Sequence, residues 1–224
     1  MISKNLLTRL FTSIVLIILL ALSFNYSYIL IVLLIIVSFI SWIEFKGLIS
    51  KILKKKNFKI NFYRNSLYGL SLLYLTIFSV TIFFGISQDD YKMSILYLFS
   101  ICICSDIGGL FFGKIFKGKK LTEISPNKTI SGSVGSFVLS LCLVPIFYFL
   151  LVDEFLNLLN LILLAILVCF FCQIGDLFIS YLKRKAKVKD TGDILPGHGG
   201  FLDRIDGMIL AIPIGVLILE FLIL

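Results

Sequence analysis

The sequence predicts an all-α fold, a polytopic integral membrane bundle of about seven transmembrane helices with its polar chemistry gathered at the cytoplasmic interface. Three observations carry that expectation. Hydrophobic residues make up 59% of the 224 positions and the mean hydropathy is +1.05, well above the roughly 45–50% apolar usage of soluble domains. Apolar runs of about 20 residues, the length a helix needs to cross ~30 Å of hydrocarbon, recur from one end to the other. Basic residues, finally, fall almost entirely in alternate connections between those runs.

Taken in order, the runs lie near residues 10–24, 28–45, 67–86, 93–112, 132–151, 156–182 and 205–224, leaving no stretch for a separate soluble domain, so one integral membrane domain over 1–224 is expected. The first run is short, and Asn25-Tyr26-Ser27 is the only polar break before the second, so a tilted first helix or a re-entrant pair are alternatives there. Lys4 and Arg9 ahead of that run imitate a signal peptide. No clear small-x-small cleavage site follows, and the run is read as a first membrane helix.

Orientation follows from the basic residues, which are retained on the cytoplasmic side. Two precede the first span, seven lie between Lys46 and Arg64, five between Lys114 and Lys128 and six between Lys183 and Arg204, which is 20 of the 21. In a seven-span arrangement all four segments share one face, while the opposite loops hold Asp89, Asp90, Asp153 and Glu154 with Lys92 as the lone basic exception. The N-terminus and the polar loops are therefore placed in the cytoplasm, and the net charge of +8 faces anionic membrane lipid or a polyphosphate. Nucleic acid is a poor partner, because the basic residues are divided among short loops. The run "KILKKKNFK" is read as a topology determinant.

All five cysteines, Cys102, Cys104, Cys142, Cys169 and Cys172, sit inside apolar runs, where packing or lipid contact is expected in preference to a disulfide framework or a zinc site.

Charge inside a membrane segment is costly and needs a reason. Asp176 comes near the end of the sixth run, and Ser180, Lys183 and Lys187 follow at i+4, i+7 and i+11 on the same helix face, with Arg184 beside them. The alternative reading is a helix end whose basic residues satisfy the dipole. Asp203 and Asp206, three apart at the start of the last run, share a face and offer the oxygen ligands that Mg²⁺ takes, unless both serve as capping acids. Gly197, Gly199 and Gly200 just upstream permit a close backbone approach to phosphate, and His198 is the only histidine. Asp106 lies in the fourth run beside Gly108 and Gly109, and Ser125-Pro126-Asn127-Lys128-Thr129 precedes the fifth, where hydroxyls, an ammonium and a helix start form either an ordinary cap or an anion cradle. Acidic groups for a metal and basic groups for phosphate thus gather on one face, the combination that nucleotidyl or phosphoryl transfer requires.

The ordered residues Ser180-x-Leu182-Lys183-Arg184, then Lys189-Asp190-x-Gly192-x-x-Leu195-Pro196-x-His198-Gly199-Gly200-Phe201-x-Asp203-Arg204-Ile205-Asp206, resemble the signature of phosphatidate cytidylyltransferases, also called CDP-diacylglycerol synthases. The region from Asp106 to Lys128, with Ser125-Pro126-x-Lys128-Thr129, is similar to the family's second cluster, so the resemblance covers roughly residues 100–210. Ser131 stands where the family commonly carries a glutamate. The resemblance implies conversion of CTP and phosphatidic acid to CDP-diacylglycerol and pyrophosphate with Mg²⁺, in a homodimer at a bacterial-type inner membrane. It implies that Asp176, Asp203 and Asp206 hold one cation or a cation pair, with Lys183 among the catalytic groups. Lys128, Arg184, Lys189 and Arg204 would neutralise the triphosphate and lipid headgroup, and Ser125, Thr129, Ser180, Asp190, His198, Gly199, Gly200 and Asp106 would complete the substrate site.

Rival readings fare less well. Asp203-Arg-Ile-Asp206-Gly207 imitates the opening of a CDP-alcohol phosphotransferase motif, but Leu210-Ala211 stands where Ala-Arg is required and no later aspartate exists. A CTP-dependent lipid kinase is separated only by its product. A transporter would want a charged track through the middle of the spans, and the polar residues gather at one side instead.

Overall fold

A computed structural model describes residues 15, 18, 19, 21–54, 57–126, 128–150, 157–194 and 199–223. Seven helices are delimited: α1 Ser27–Ile52, α2 Phe58–Ser87, α3 Asp89–Phe116, α4 Ile130–Leu141, α5 Val144–Leu150, α6 Leu158–Ala186 and α7 Leu202–Ile223. With α4 and α5 counted as one span, six segments among the described residues are long and apolar enough to cross a membrane. This is a multi-pass helical membrane protein. Most of the predicted first span lies outside the described residues, although residues 21–25 are helical and end at an extended Tyr26, the polar break expected there.

Helix existence follows from hydrocarbon itself, in which every backbone N–H and C=O must be paired within its own segment. Boundaries depend on local chemistry. The predicted span 132–151 is interrupted after Leu141, where Cys142 and Leu143 turn before α5 restarts at Val144. Pro145, with no N–H to donate, suits the first turn of the new helix and cannot continue the old one. The last helix begins at Leu202, three residues ahead of expectation.

The chain divides into two compact units, one of residues 1–83 with 182–205, the other of 84–181 with 206–224. In the first, α1 and α2 are joined by polar contacts. Trp42 Nε1 donates to the Tyr68 carbonyl at 3.0 Å, the Ser38 and Ser79 hydroxyls pair, and the Lys46 ammonium sits 4.2 Å from the Trp42 ring centroid and 5.3 Å from that of Tyr68. Leu30, Leu34, Leu48 and Ile49 of α1 and Leu75, Phe78 and Ile82 of α2 are buried.

In the second unit α3 and α4 approach to backbone distance. A methyl placed on Gly108 would lie 2.5 Å from the Gly135 carbonyl oxygen, and one on Gly132 would lie 2.6 Å from that of Gly109. Small residues at helix spacing permit this, and close van der Waals packing substitutes for a hydrophobic drive that lipid does not supply. Ser136 donates to the Ser105 carbonyl across the same seam at 2.6 Å. Buried Tyr97 of α3 donates to the Leu161 carbonyl of α6 at 3.0 Å, and its ring lies 4.7 Å from that of Phe147.

Candidate active site

Helix α6 carries Asp176, Ser180 and Lys183 and ends one turn later. The Lys187 N–H donates to the Arg184 carbonyl at 3.1 Å and Val188 N–H to the Lys183 carbonyl at 3.0 Å, with Lys187 at φ 57°. This is a Schellman stop with lysine in the left-handed position that usually takes glycine. Beyond the turn Asp190 lies beside Gly199, and Thr191 beside Gly200 and Asp203.

Within the first unit the returning loop closes on α7. Lys183 Nζ lies 2.6 Å from Asp203 Oδ1, and the Thr191 amide donates to Asp203 Oδ2 at 2.8 Å. The Thr191 hydroxyl lies within hydrogen-bond reach of both Asp203 Oδ2, at 3.0 Å, and Glu44 Oε2, at 2.7 Å. Glu44 is 4% exposed on α1. It also accepts from the Phe201 amide on Oε1 at 2.9 Å and from the Leu202 amide on Oε2 at 2.8 Å. Those two amides belong to the start of α7, where N–H groups have no partner inside the helix. Both backbone amides donate to Glu44, and the one Thr191 hydroxyl proton serves either Glu44 or Asp203.

This division of labour relieves Asp203 of capping the helix. The start of α7 is capped by Glu44, and Asp203 turns instead to Lys183 and Thr191. Its side chain is only 8% exposed and that of Lys183 16%. Removing either partner from so enclosed a pair strands a charge, at a cost of about 3–5 kcal/mol for fully buried pairs and somewhat less here.

Glycines in the signature also acquire a physical reason. A methyl on Gly192 would lie 2.7 Å from Glu44 Oε1, and one on Gly200 would lie 2.7 Å from the Gly192 amide nitrogen and 2.8 Å from Glu44 Oε2. Gly199, at φ 82°, adopts a conformation side chains disfavour, beside Asp190. Lys189, Asp190 and Arg204 are exposed, while His198, with Leu195, Pro196 and Gly197, lies outside the described residues.

The second unit gathers its own group. Asp176 Oδ2 is ion-paired with Lys128, and Ser180 donates to Asp176 Oδ1 at 3.3 Å. Asp106 on α3 interacts electrostatically with both Asp176 and Lys128. Lys128 is presented by a loop pinned between α3 and α4. Leu121 N–H donates to the Lys128 carbonyl at 2.8 Å, Lys128 N–H to that of Ser125 at 3.0 Å, and Ile130 N–H to that of Lys119 at 3.0 Å. Thr129 caps α4, accepting from the Gly132 amide at 3.1 Å. Ser131, where a glutamate was expected, donates its hydroxyl to the Lys117 carbonyl. Asp206 lies at the crossing of α7 on α6, where a methyl on Gly175 would fall 2.6 Å from the Asp206 carbonyl oxygen, and its Oδ1 accepts from the Gly207 amide at 2.9 Å.

Asp176, Ser180 and Lys128 are thus brought together, as are Lys183 and Asp203. Glu44 was missed. The signal existed, since it is an acid inside an apolar run, but it reads as part of the basic boundary two residues before Lys46.

A sequence model of the cytidylyltransferase family matches residues 1–222. The chain belongs to the cytidylyltransferase family. Among its relatives, a phosphatidate cytidylyltransferase of Staphylococcus haemolyticus is 43% identical over 133 residues, covering 59% of this chain and 51% of that protein. One of Helicobacter pylori is 39% identical over 133 residues, 56% of this chain and 47% of the relative. One of Bacillus subtilis is 42% identical over 129 residues, with the same coverages of 56% and 47%. The matched region of the chain spans about half the length of these curated relatives. Lys128 and Lys183, each in its own unit, stand against a carboxylate, Asp176 and Asp203 respectively.

Proposed function

We propose that this protein is a phosphatidate cytidylyltransferase, converting CTP and phosphatidic acid to CDP-diacylglycerol and pyrophosphate in phospholipid biosynthesis. The observation that carries the reading is the signature loop itself, folded so that Lys183 and Asp203 are paired and Asp203 is relieved of capping α7. Family membership and the names of the relatives support the same chemistry.

A phosphatidate oxygen is anionic and attacks the α-phosphorus of CTP without a general base. As that bond forms, the bond from the α-phosphorus to the bridging oxygen breaks and pyrophosphate leaves. Rate then comes from positioning and charge neutralisation. Lys183 and Lys128 draw the triphosphate, aided by Arg184, Lys189 and Arg204. Ser125, Thr129, Ser180, Asp190, His198, Gly199, Gly200 and Asp106 complete the contacts to CTP and the lipid headgroup. The acyl chains stay in the bilayer.

The carboxylates of Asp176, Asp203 and Asp206 are hard oxygen donors suited to Mg²⁺. Among the described residues no three His, Cys, Asp or Glu side chains form a ready metal cluster. When bound, singly or as one of a cation pair, Mg²⁺ supplies positive charge to the phosphates. Asp176, Asp203 and Asp206 would hold the cation, and Lys128 and Lys183 would face the phosphates. The proposal extends to a homodimer in a bacterial-type inner membrane, with the N-terminus and the site loops facing the cytoplasm.

The test is pyrophosphate release from CTP by purified protein in mixed micelles, with and without phosphatidic acid, and mass spectrometry of the lipid product. Turnover requiring CTP, phosphatidate and Mg²⁺, abolished by EDTA and reduced at least ~100-fold in Asp203→Asn and Asp206→Asn, is expected. A phosphorylated alcohol as product would assign a lipid kinase, and full activity in both variants would remove the aspartates from the mechanism.

A further inference from the structure

We infer that Glu44 is a positioning residue of the transferase site. Its carboxylate holds Thr191, Phe201 and Leu202 in the arrangement that presents Asp203 and Lys183. The role rests on the cytidylyl-transfer reading above and adds to it a residue outside the signature, on a helix about 150 positions earlier in sequence.

Three independent connections converge on one side chain. Two are backbone amides, Phe201 and Leu202, immediately before Asp203, and the third is the Thr191 hydroxyl, whose own amide holds Asp203 Oδ2. Glu44 therefore touches both ends of the loop and, through Thr191, the carboxylate that pairs with Lys183. Its surroundings are shaped to it. Gly192 and Gly200 lack the methyl that would collide with its oxygens at 2.7 and 2.8 Å. A buried acid in a membrane helix is expensive unless its acceptors are filled, and here they are filled by the loop. The coupling runs both ways: an empty Glu44 is costly, so the loop is held, and a free loop leaves two helix-start amides without partners.

A positioning role differs from simple support in what it does to the kinetics. Loss of support reduces the fraction of folded enzyme, lowering kcat while leaving the KM for CTP alone. Loss of positioning displaces Lys183 and Asp203 relative to the triphosphate and raises that KM in the molecules that remain folded. Full-length wild-type, Glu44→Gln and Gly192→Ala proteins are compared in detergent, the last adding a methyl against Glu44 while keeping its charge. Steady-state kinetics with CTP varied are measured alongside amide hydrogen exchange. In the wild type, the Phe201 and Leu202 amides should exchange much more slowly than those of neighbouring loop residues. Both variants should raise the KM for CTP about ten-fold or more and speed exchange at those two amides, with Tyr97-region amides unchanged. A KM for CTP equal to the wild-type value in both variants overturns the inference. So does fast exchange of Phe201 and Leu202 in the wild type, a result that stands even if Glu44→Gln fails to fold. Absence of CTP turnover in the wild type defeats the transferase reading instead, while the exchange measurement still decides whether Glu44 holds the loop.

Discussion

Lys187 stands at φ 57° in the turn that ends α6, a conformation that costs a residue with a Cβ about 1–2 kcal/mol. Glycine escapes that cost, so Lys187→Gly should stabilise the protein by about 1 kcal/mol, net of the greater freedom glycine has when unfolded. Denaturant unfolding in detergent checks this, and a destabilised variant would show that the lysine side chain contributes more than its strain. The same position illustrates what sequence alone reads poorly. Lys187 falls on the stripe begun by Asp176, Ser180 and Lys183 only if the helix continues, and the helix stops at Ala186. Gly197, Gly199 and Gly200 were read as room for phosphate, and Gly192 only as part of the signature. Gly192 and Gly200 are accounted for by the oxygens of Glu44 and the hydroxyl of Thr191, neighbours in space that no local pattern connects.

Between helices the same lesson has a sharper form. Gly108 and Gly109 were noticed for their place beside Asp106, yet they work as the flat face on which α4 lies. A methyl on Gly108 would meet the backbone of Gly135 and Ser136, at 2.5 to 3.0 Å, and backbone cannot be moved aside cheaply. Gly108→Ala should therefore cost about 1–3 kcal/mol by overpacking. Gly47 and Gly69, which have nothing within 4 Å of the same methyl, should gain about 0.5–1 kcal/mol on replacement by alanine within their helices. Thermal unfolding of the three variants in one detergent separates the two cases. The six spans among the described residues were all visible as apolar runs, because hydrocarbon thickness sets their length. Their ends were less visible. The α4–α5 break at Pro145 was not anticipated, since an apolar run conceals a change of helix when no polar residue marks it.

Across the full set of connections, charge orders the protein more simply than packing does. Twenty of 21 basic residues lie in connections assigned to one face. Single cysteines at Lys119 and Lys189, in a background with the five native cysteines replaced by alanine, should react with a membrane-impermeant thiol reagent from the same side of sealed vesicles. One at Asp89 should react from the other. Labelling of Asp89→Cys together with Lys189→Cys would overturn the orientation.

Composition, run length and the placement of lysine and arginine were enough to establish a helical multi-pass protein, because the bilayer imposes its length and polarity on any chain that crosses it. The ordered signature was enough to indicate cytidylyl transfer, because its acids, bases and glycines are contiguous in sequence. Which carboxylate performs which task was not there to be read. Asp203 and Glu44 are both acids in or beside apolar runs, and nothing local distinguishes the one that caps a helix from the one that pairs with a lysine. The fold separates them by bringing α1 against the loop at 191–202, so that the distant glutamate satisfies the helix start and the nearby aspartate is left to Lys183.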